Sequence, residues 1–346
     1  MTRLRSYLDA GPVICAEGYV FELERRGYVQ AGPFVPEVVL EEPEAVAGLH
    51  REFVRAGSDV VVACTYYAHR EKLRLVGREH DLERLNLAAL KIATNVAAES
   101  GAMVAGNICN TNVFESGGRR SRAAAQAMFA EQVGWAADAA VDYVIAETFS
   151  FCDEATLAVR EVKKAGLPCV ATLAILREPA TFDGVALTEA CKRLAADGAD
   201  VVGVNCMRGP DTMLPLLAPI VAAVDVPVAA LPVPYRTTAA TPAFMALRDE
   251  RYAAHSPAHD CAFPTALDPL MCNRDEITAF TAAAAAIGVR YFGLCCGAGP
   301  HHLRSMAEAL GRTPPASRYS PDMTRHAMLG TSVGALRARA RHGERL

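Results

Sequence analysis

Residues 291–300 read Tyr291-Phe292-Gly293-Leu294-Cys295-Cys296-Gly297-Ala298-Gly299-Pro300, a hydrophobic run that stops at two adjacent cysteines and a glycine turn. A short apolar run followed by a helical stretch, here His301 to Leu310, is a strand handed on to a helix. The same pairing recurs upstream. Candidate strands stand at Val13–Ala16, Val60–Cys64, Met103–Gly106, Tyr143–Glu147, Cys169–Leu173, Val201–Cys206 and Val226–Leu231, with longer amphipathic segments between most of them. One such segment, Pro43 to Ala56, sets Ala45, Leu49 and Phe53 on one face before Gly57-Ser58. Another carries Met128, Val133 and the single tryptophan, Trp135.

Eight strand–helix pairs predict an α/β fold, a single (β/α)8 TIM barrel, with its active site at the C-terminal ends of the strands. That rule selects Glu147 at the end of strand four, Asn205 and Cys206 at the end of strand six, and Cys295 with Cys296 at the end of strand eight. Three thiols from two strand ends then converge at one mouth. The rhythm breaks between Pro232 and about Asn273, a Pro- and Thr-rich stretch too long for an ordinary connection and read as a functional or mobile loop. Tyr235, Arg236 and Asp260 within it are candidate contacts. Residues 1–312 are assigned to the barrel and 313–346 to a C-terminal extension. That extension, with Pro314-Pro315 and then Arg337, Arg339, Arg341 and His342, is expected to wrap the barrel or reach a partner, as in a homo-oligomer.

Composition narrows the class. Hydrophobic residues make up 51% and charged residues 21%, enough apolar surface for a large core. A net charge of −4 without a basic stripe argues against nucleic acid. No apolar run approaches the ~20 residues that span a bilayer, and the charged N-terminus does not read as a signal peptide. A cytoplasmic location is expected. Eleven cysteines are an odd number and too sparse for a disulfide scaffold. Cys15, Cys64, Cys109 and Cys169 sit inside strand candidates, where a thiol behaves as a small buried hydrophobe.

Three thiolates with an open fourth position describe a catalytic zinc site. The same residues also fit a buried or redox-labile vicinal pair. If Zn2+ is bound, an exchangeable ligand that is itself a thiol would be held as a thiolate at neutral pH and made a nucleophile. Such a sulfur suits attack on a methyl group carried by an ammonium or sulfonium centre. Aromatic faces attract such a cation by about 0.5 to 2 kcal/mol each. Tyr66 and Tyr67 after strand two, with Tyr19 and Phe34 after strand one, supply them at the mouth.

The strings Gly27-Tyr28-Val29-Gln30-Ala31-Gly32-Pro33-Phe34, Leu49-His50-Arg51-Glu52-Phe53-Val54-Arg55-Ala56-Gly57-Ser58, Gly203-Val204-Asn205-Cys206 and Gly288 through Gly297 resemble the homocysteine S-methyltransferase family, most nearly its betaine-using branch. The resemblance covers roughly Pro12 to Ala309. It implies that Cys206, Cys295 and Cys296 hold Zn2+, and that Glu147 serves catalysis by contacting the homocysteine amino group. It also implies that Tyr67 lies beside the onium donor and that Asn205 supports the zinc loop. The family's Asp-Gly-Gly appears here as Ala16-Glu17-Gly18, with a glutamate one place later. Phe34 replaces a donor-loop tryptophan, and Thr148 replaces a tyrosine. Glu17, Gly18, Phe34, Tyr67, Glu147, Thr148 and Asn205 are therefore the expected substrate-binding set. The expected reaction moves a methyl group from an onium donor to a small-molecule thiol, with homocysteine giving methionine. Two alternatives stay open: a related methyltransferase with another acceptor or donor, and a zinc or thiol sensor without turnover.

Overall fold

The computed structural model describes residues 1–249 and 261–326, together with 330, 331, 333, 334 and 336. Eight strands, β1 (Val13–Ala16), β2 (Val60–Val62), β3 (Met103–Cys109), β4 (Tyr143–Phe149), β5 (Cys169–Leu173), β6 (Val201–Asn205), β7 (Val228–Leu231) and β8 (Tyr291–Leu294), form a closed barrel in chain order. Every neighbouring pair is parallel. Closure sets Val13 beside Tyr291 and Ala16 beside Leu294, which brings the loop after β1 against the cysteines after β8.

Local chemistry explains the helices that separate the strands. The helix Pro43–Ala56 has proline at its first position and ends at Gly57, whose φ of 117° favours glycine. Its buried face is Val46, Leu49, His50 and Phe53, while Ala45 is half-buried. The helix Arg274–Ile287 starts three residues before the apolar pattern predicts, because Asn273 and Glu276 form a capping box. Among the described residues, four helices escaped the sequence pattern altogether: Arg3–Ala10, Tyr19–Arg25, Val38–Glu41 and Arg70–Leu75.

Five strand ends also differ from expectation: β2 stops at Val62, β3 runs on to Cys109 and β6 stops at Asn205, and the other two are in β4 and β7. Glu147 does not end β4, which runs on to Phe149 with a register irregularity between Ala146 and Phe149. Strand β7 begins at Val228 instead of Val226.

Among its described residues, the connection after β7 holds two short 3-10 turns, Phe244–Ala246 and Asp268–Leu270, and isolated bridges pairing Tyr235 with Met271 and Arg248 with Cys261. Asp260 lies outside the described residues. At the other end of the chain, Pro314 packs over Gly57, and Arg55 lies over the Tyr319 ring at 5.9 Å. Residues 314–319 thus lie against the barrel, whereas Arg337, Arg339, Arg341 and His342 lie outside the described residues. Among the described residues no helix is long and apolar enough to cross a membrane.

Candidate active site

Strand ends set the three thiols. Cys206 follows β6 with φ 57°, and its N–H donates to the Leu231 carbonyl at 3.0 Å. The N–H of Cys295 donates to the Pro232 carbonyl at 2.9 Å, so one strand end, that of β7, fixes both backbones. The Cys206 and Cys296 sulfurs are 3.7 Å apart and those of Cys295 and Cys296 are 3.8 Å apart. Crowding splits their acidities. Hydrogen bonds from the Cys295 and Cys296 thiols hold Cys206 well below the ordinary range, and donating to Cys206 pushes those two well above it.

Two glycines permit this packing. Gly18, at φ 80°, leaves a gap into which a Cβ would project to 2.6 Å from the Cys295 carbonyl oxygen. Gly297, at φ 92°, lies so close to Tyr235 that a Cβ would stand 2.0 Å from its hydroxyl. Arg25 fastens that corner, donating to the Gly297 carbonyl at 2.8 Å and to the Tyr235 hydroxyl at 2.9 Å.

Beside the thiols lie two buried carboxyls. Glu147 accepts from the side-chain amides of Asn107 and Asn205 and from the Thr148 hydroxyl. Burial raises it to about 7. Glu17 is 3% exposed, and neither of its oxygens has a hydrogen-bond partner among the described residues. Burial, then the charge of Glu147, raises it well above the ordinary carboxylate range. Ligand atoms of Glu17, Glu147 and Cys295 all lie within 4.8 Å of one another, as do those of Cys206, Cys295 and Cys296. Cys295 belongs to both groups.

A pocket opens above them, lined by Glu17, Gly18, Phe34, Tyr67, Glu147 and the three cysteines among others. Seven described residues other than glycine have positive φ, and Phe34, Tyr67, Thr148, Cys206 and Met207 of these line or border the site. Backbone strain of this kind collects where side chains are held for function. Tyr67 is held through its N–H, which donates to Cys109 Sγ at 3.4 Å, with the Lys72 ammonium 4.0 Å from its ring centroid.

Thr148 and Asn205 do not line the pocket. Asn205 is fully buried behind Glu147, and it accepts from the Thr148 N–H at 3.0 Å. Both side chains bond to the Glu147 carboxylate, the Thr148 hydroxyl and the Asn205 amide each donating to Oε2. Cys15, Cys64, Cys109 and Cys169 are all buried in the core, as expected; Cys64 also reaches the pocket lining, and Cys109 Sγ accepts from the Tyr67 N–H. Arg236 points away and pairs with Glu276.

Sequence reasoning missed Phe21, Asn107, Met207, Phe244, Met245 and Phe263, all pocket-lining. Asn107 alone left a signal, as a polar residue interrupting the apolar run of β3.

A model of the homocysteine S-methyltransferase family matches residues 14–310. The chain is 36% identical over 353 residues to betaine–homocysteine S-methyltransferase 1 of Xenopus tropicalis, covering 96% of this chain and 82% of that protein. It is 33% identical over 360 residues to an S-methylmethionine–homocysteine S-methyltransferase of Rattus norvegicus, covering 96% of this chain and 89% of that protein. Among solved structures, the metallated homocysteine methyltransferase MmuM of Escherichia coli shares the fold, with a TM-score of 0.68 and 19% identity over 88% of this chain and 99% of that one.

Proposed function

The chain belongs to the homocysteine S-methyltransferase family, and from that premise we propose that it transfers a methyl group from an onium donor to the sulfur of homocysteine, giving methionine. One observation carries the reading: Cys295 is shared by a three-thiol group and a two-carboxyl group at the same strand ends. An amino thiol offers a sulfur and an ammonium a few ångström apart, and the site offers a partner for each.

The thiols fit zinc. Sulfurs about 2.3 Å from a tetrahedral zinc lie about 3.8 Å apart, and the two separations here are 3.7 and 3.8 Å. The opposed acidities of Cys206 and its two neighbours mark a cluster that carries three thiolates only beside a cation. Cys206, Cys295 and Cys296 would hold the ion. When bound, it would supply a Lewis acid that lowers the pKa of the acceptor thiol.

The remaining work falls to the chain. Glu17 and Glu147 take the acceptor ammonium, which answers the two unpartnered oxygens of Glu17. Asn107 and Asn205 fix the Glu147 carboxylate. Tyr66, Tyr67 and the surrounding phenyl rings lower the cost of desolvating the donor cation. Within that enclosure the acceptor sulfur forms a bond to the methyl carbon while the carbon–nitrogen or carbon–sulfur bond of the donor breaks. The bonding pair leaves with a neutral amine or sulfide, and the thiol proton is released. Eleven free cysteines suit a reducing, cytoplasmic setting.

The test is a multiple-turnover assay of zinc-loaded protein with homocysteine and a panel of onium donors: glycine betaine, S-methylmethionine and simple alkyl sulfoniums. Methionine formation beyond one equivalent supports the reading. No product from any donor overturns it.

A further inference from the structure

Thiols and carboxyls account for one part of the pocket lining, and another part is of a different kind. Phe21 and Phe34 stack at 4.8 Å with their planes 10° apart. Phe244 and Phe263, both from the long connection after β7, each lie 6.1 Å from Phe21. They meet each other at 5.5 Å, nearly perpendicular at 83°. Met207 and Met245 join them in the lining, with Met245 42% exposed at the rim. This wall is held from behind, where the Tyr235 ring lies parallel to Phe244 at 5.5 Å.

Charge is distributed unevenly over the same pocket. Glu17 and Glu147 are its charged lining groups, and both sit beside the thiols. Among the described residues no lysine or arginine lines it. Two described cations beside the site are already engaged: Arg25 with Gly297, Tyr235 and Asp268, and Lys72 against the ring of Tyr67.

On the reading above, that an onium donor meets a thiol here, we propose that the four phenyl rings hold the donor's tail. We further propose that the donor the site favours carries an uncharged, apolar substituent rather than a carboxylate. The acceptor keeps its polar head beside Glu17, Asn107 and Glu147, away from this wall. The methylated cation is tolerated by aromatic faces. A carboxylate pressed onto phenyl and thioether surface is stripped of water with no lysine or arginine among the described lining residues to replace it, and two buried carboxyls lie nearby. An apolar tail meets the opposite balance, because it covers surface that water solvates poorly. The transfer is otherwise as written above, with a neutral sulfide or amine leaving with the bonding pair.

Matched donors test this on the wild-type protein. Dimethyl(3-methylbutyl)sulfonium copies the shape of dimethylsulfoniopropionate with methyls in place of the carboxylate oxygens, and isobutyltrimethylammonium copies glycine betaine in the same way. The apolar member of each pair is expected to show at least a tenfold higher kcat/KM. Phe263→Leu and Phe244→Leu keep apolar bulk and lose the rings, and they are expected to lower kcat/KM for the apolar sulfonium about tenfold while KM for homocysteine stays put. Equal or reversed donor preference overturns the proposal and leaves the methyltransferase reading standing. Absence of product from all four donors, and from S-methylmethionine, removes both.

Discussion

The side-chain amide of Asn205, at the end of β6, donates to Glu147 Oε2 at 2.7 Å across the barrel mouth, and to the Thr148 hydroxyl at 2.8 Å. One amide thus ties the carboxylate of β4 to the strand that delivers Cys206. Asn205→Ala leaves the buried Thr148 N–H without its acceptor and removes one of the two donors to Glu147 Oε2, at a cost of about 1–3 kcal/mol. Turnover should fall by roughly 10- to 100-fold, the range seen when a group supporting a metal ligand or its neighbour is lost. Urea denaturation and steady-state kinetics on one preparation check both halves, and an unchanged kcat/KM would remove Asn205 from the site's support.

Glu17 makes a prediction that separates charge from shape. Glu17→Gln keeps the volume of a side chain that is 3% exposed and replaces with a neutral amide the carboxyl that would take the acceptor ammonium. KM for homocysteine should rise at least tenfold, while the donor KM stays within twofold. A thiol of similar length without the amino group should be used equally by variant and wild type. If the variant binds homocysteine as tightly as wild type, the ammonium lies elsewhere.

For the metal, content is the readout. Cys206→Ala, Cys295→Ala and Cys296→Ala should each lower bound zinc well below one equivalent after dialysis. Cys261→Ser removes a half-buried thiol outside the pocket and should not. A chelator should abolish wild-type turnover, and added zinc should restore it. Retention of stoichiometric zinc by all three alanine variants would refute the assignment.

Gly297 tests the packing under the thiols. In Gly297→Ala the new methyl would stand 2.0 Å from the Tyr235 hydroxyl and the residue would keep a left-handed φ of 92°. The strain and the overlap together cost roughly 2–4 kcal/mol. Gly27→Ala is the control, since its φ is 80° and its Cβ meets nothing within 4 Å. The control should lose only about 1 kcal/mol. Equal losses in the two variants would show that contact with Tyr235 contributes nothing.

The barrel and the floor of its site were legible because both follow from short-range rules. Strand β8 announces itself by an apolar run that stops at Cys295, and a parallel barrel sends every strand end to one mouth. The wall of the pocket was not legible, because Phe244 and Phe263 come from a connection without periodicity and meet Phe21 only through tertiary packing. The same limit explains Thr148 and Asn205, whose expected role came from the family resemblance. Which face of Glu147 a side chain supports depends on the irregularity in β4, and no local pattern signals it.

His50 carries the last prediction, on the dependence of stability on pH. It sits in the helix Pro43–Ala56, 1% exposed, with its ring edge-on to Tyr19 at 4.7 Å and neither nitrogen hydrogen-bonded among the described residues. Burial, with a smaller contribution from Arg51, lowers its pKa from 6.5 to about 3. Because the folded value is the lower one, the unfolded chain binds the extra proton between those limits. Stability is therefore full above about pH 6.5 and is lost as the pH falls toward 3. The linkage amounts to about 2 kcal/mol between pH 7 and pH 5 from this residue. His50→Leu removes the titrating group and keeps an apolar side chain of similar bulk. Denaturant midpoints at the two pH values should then show a dependence shallower than wild type by about that amount. Parallel slopes in the two proteins would mean that His50 is not the group that charges on unfolding.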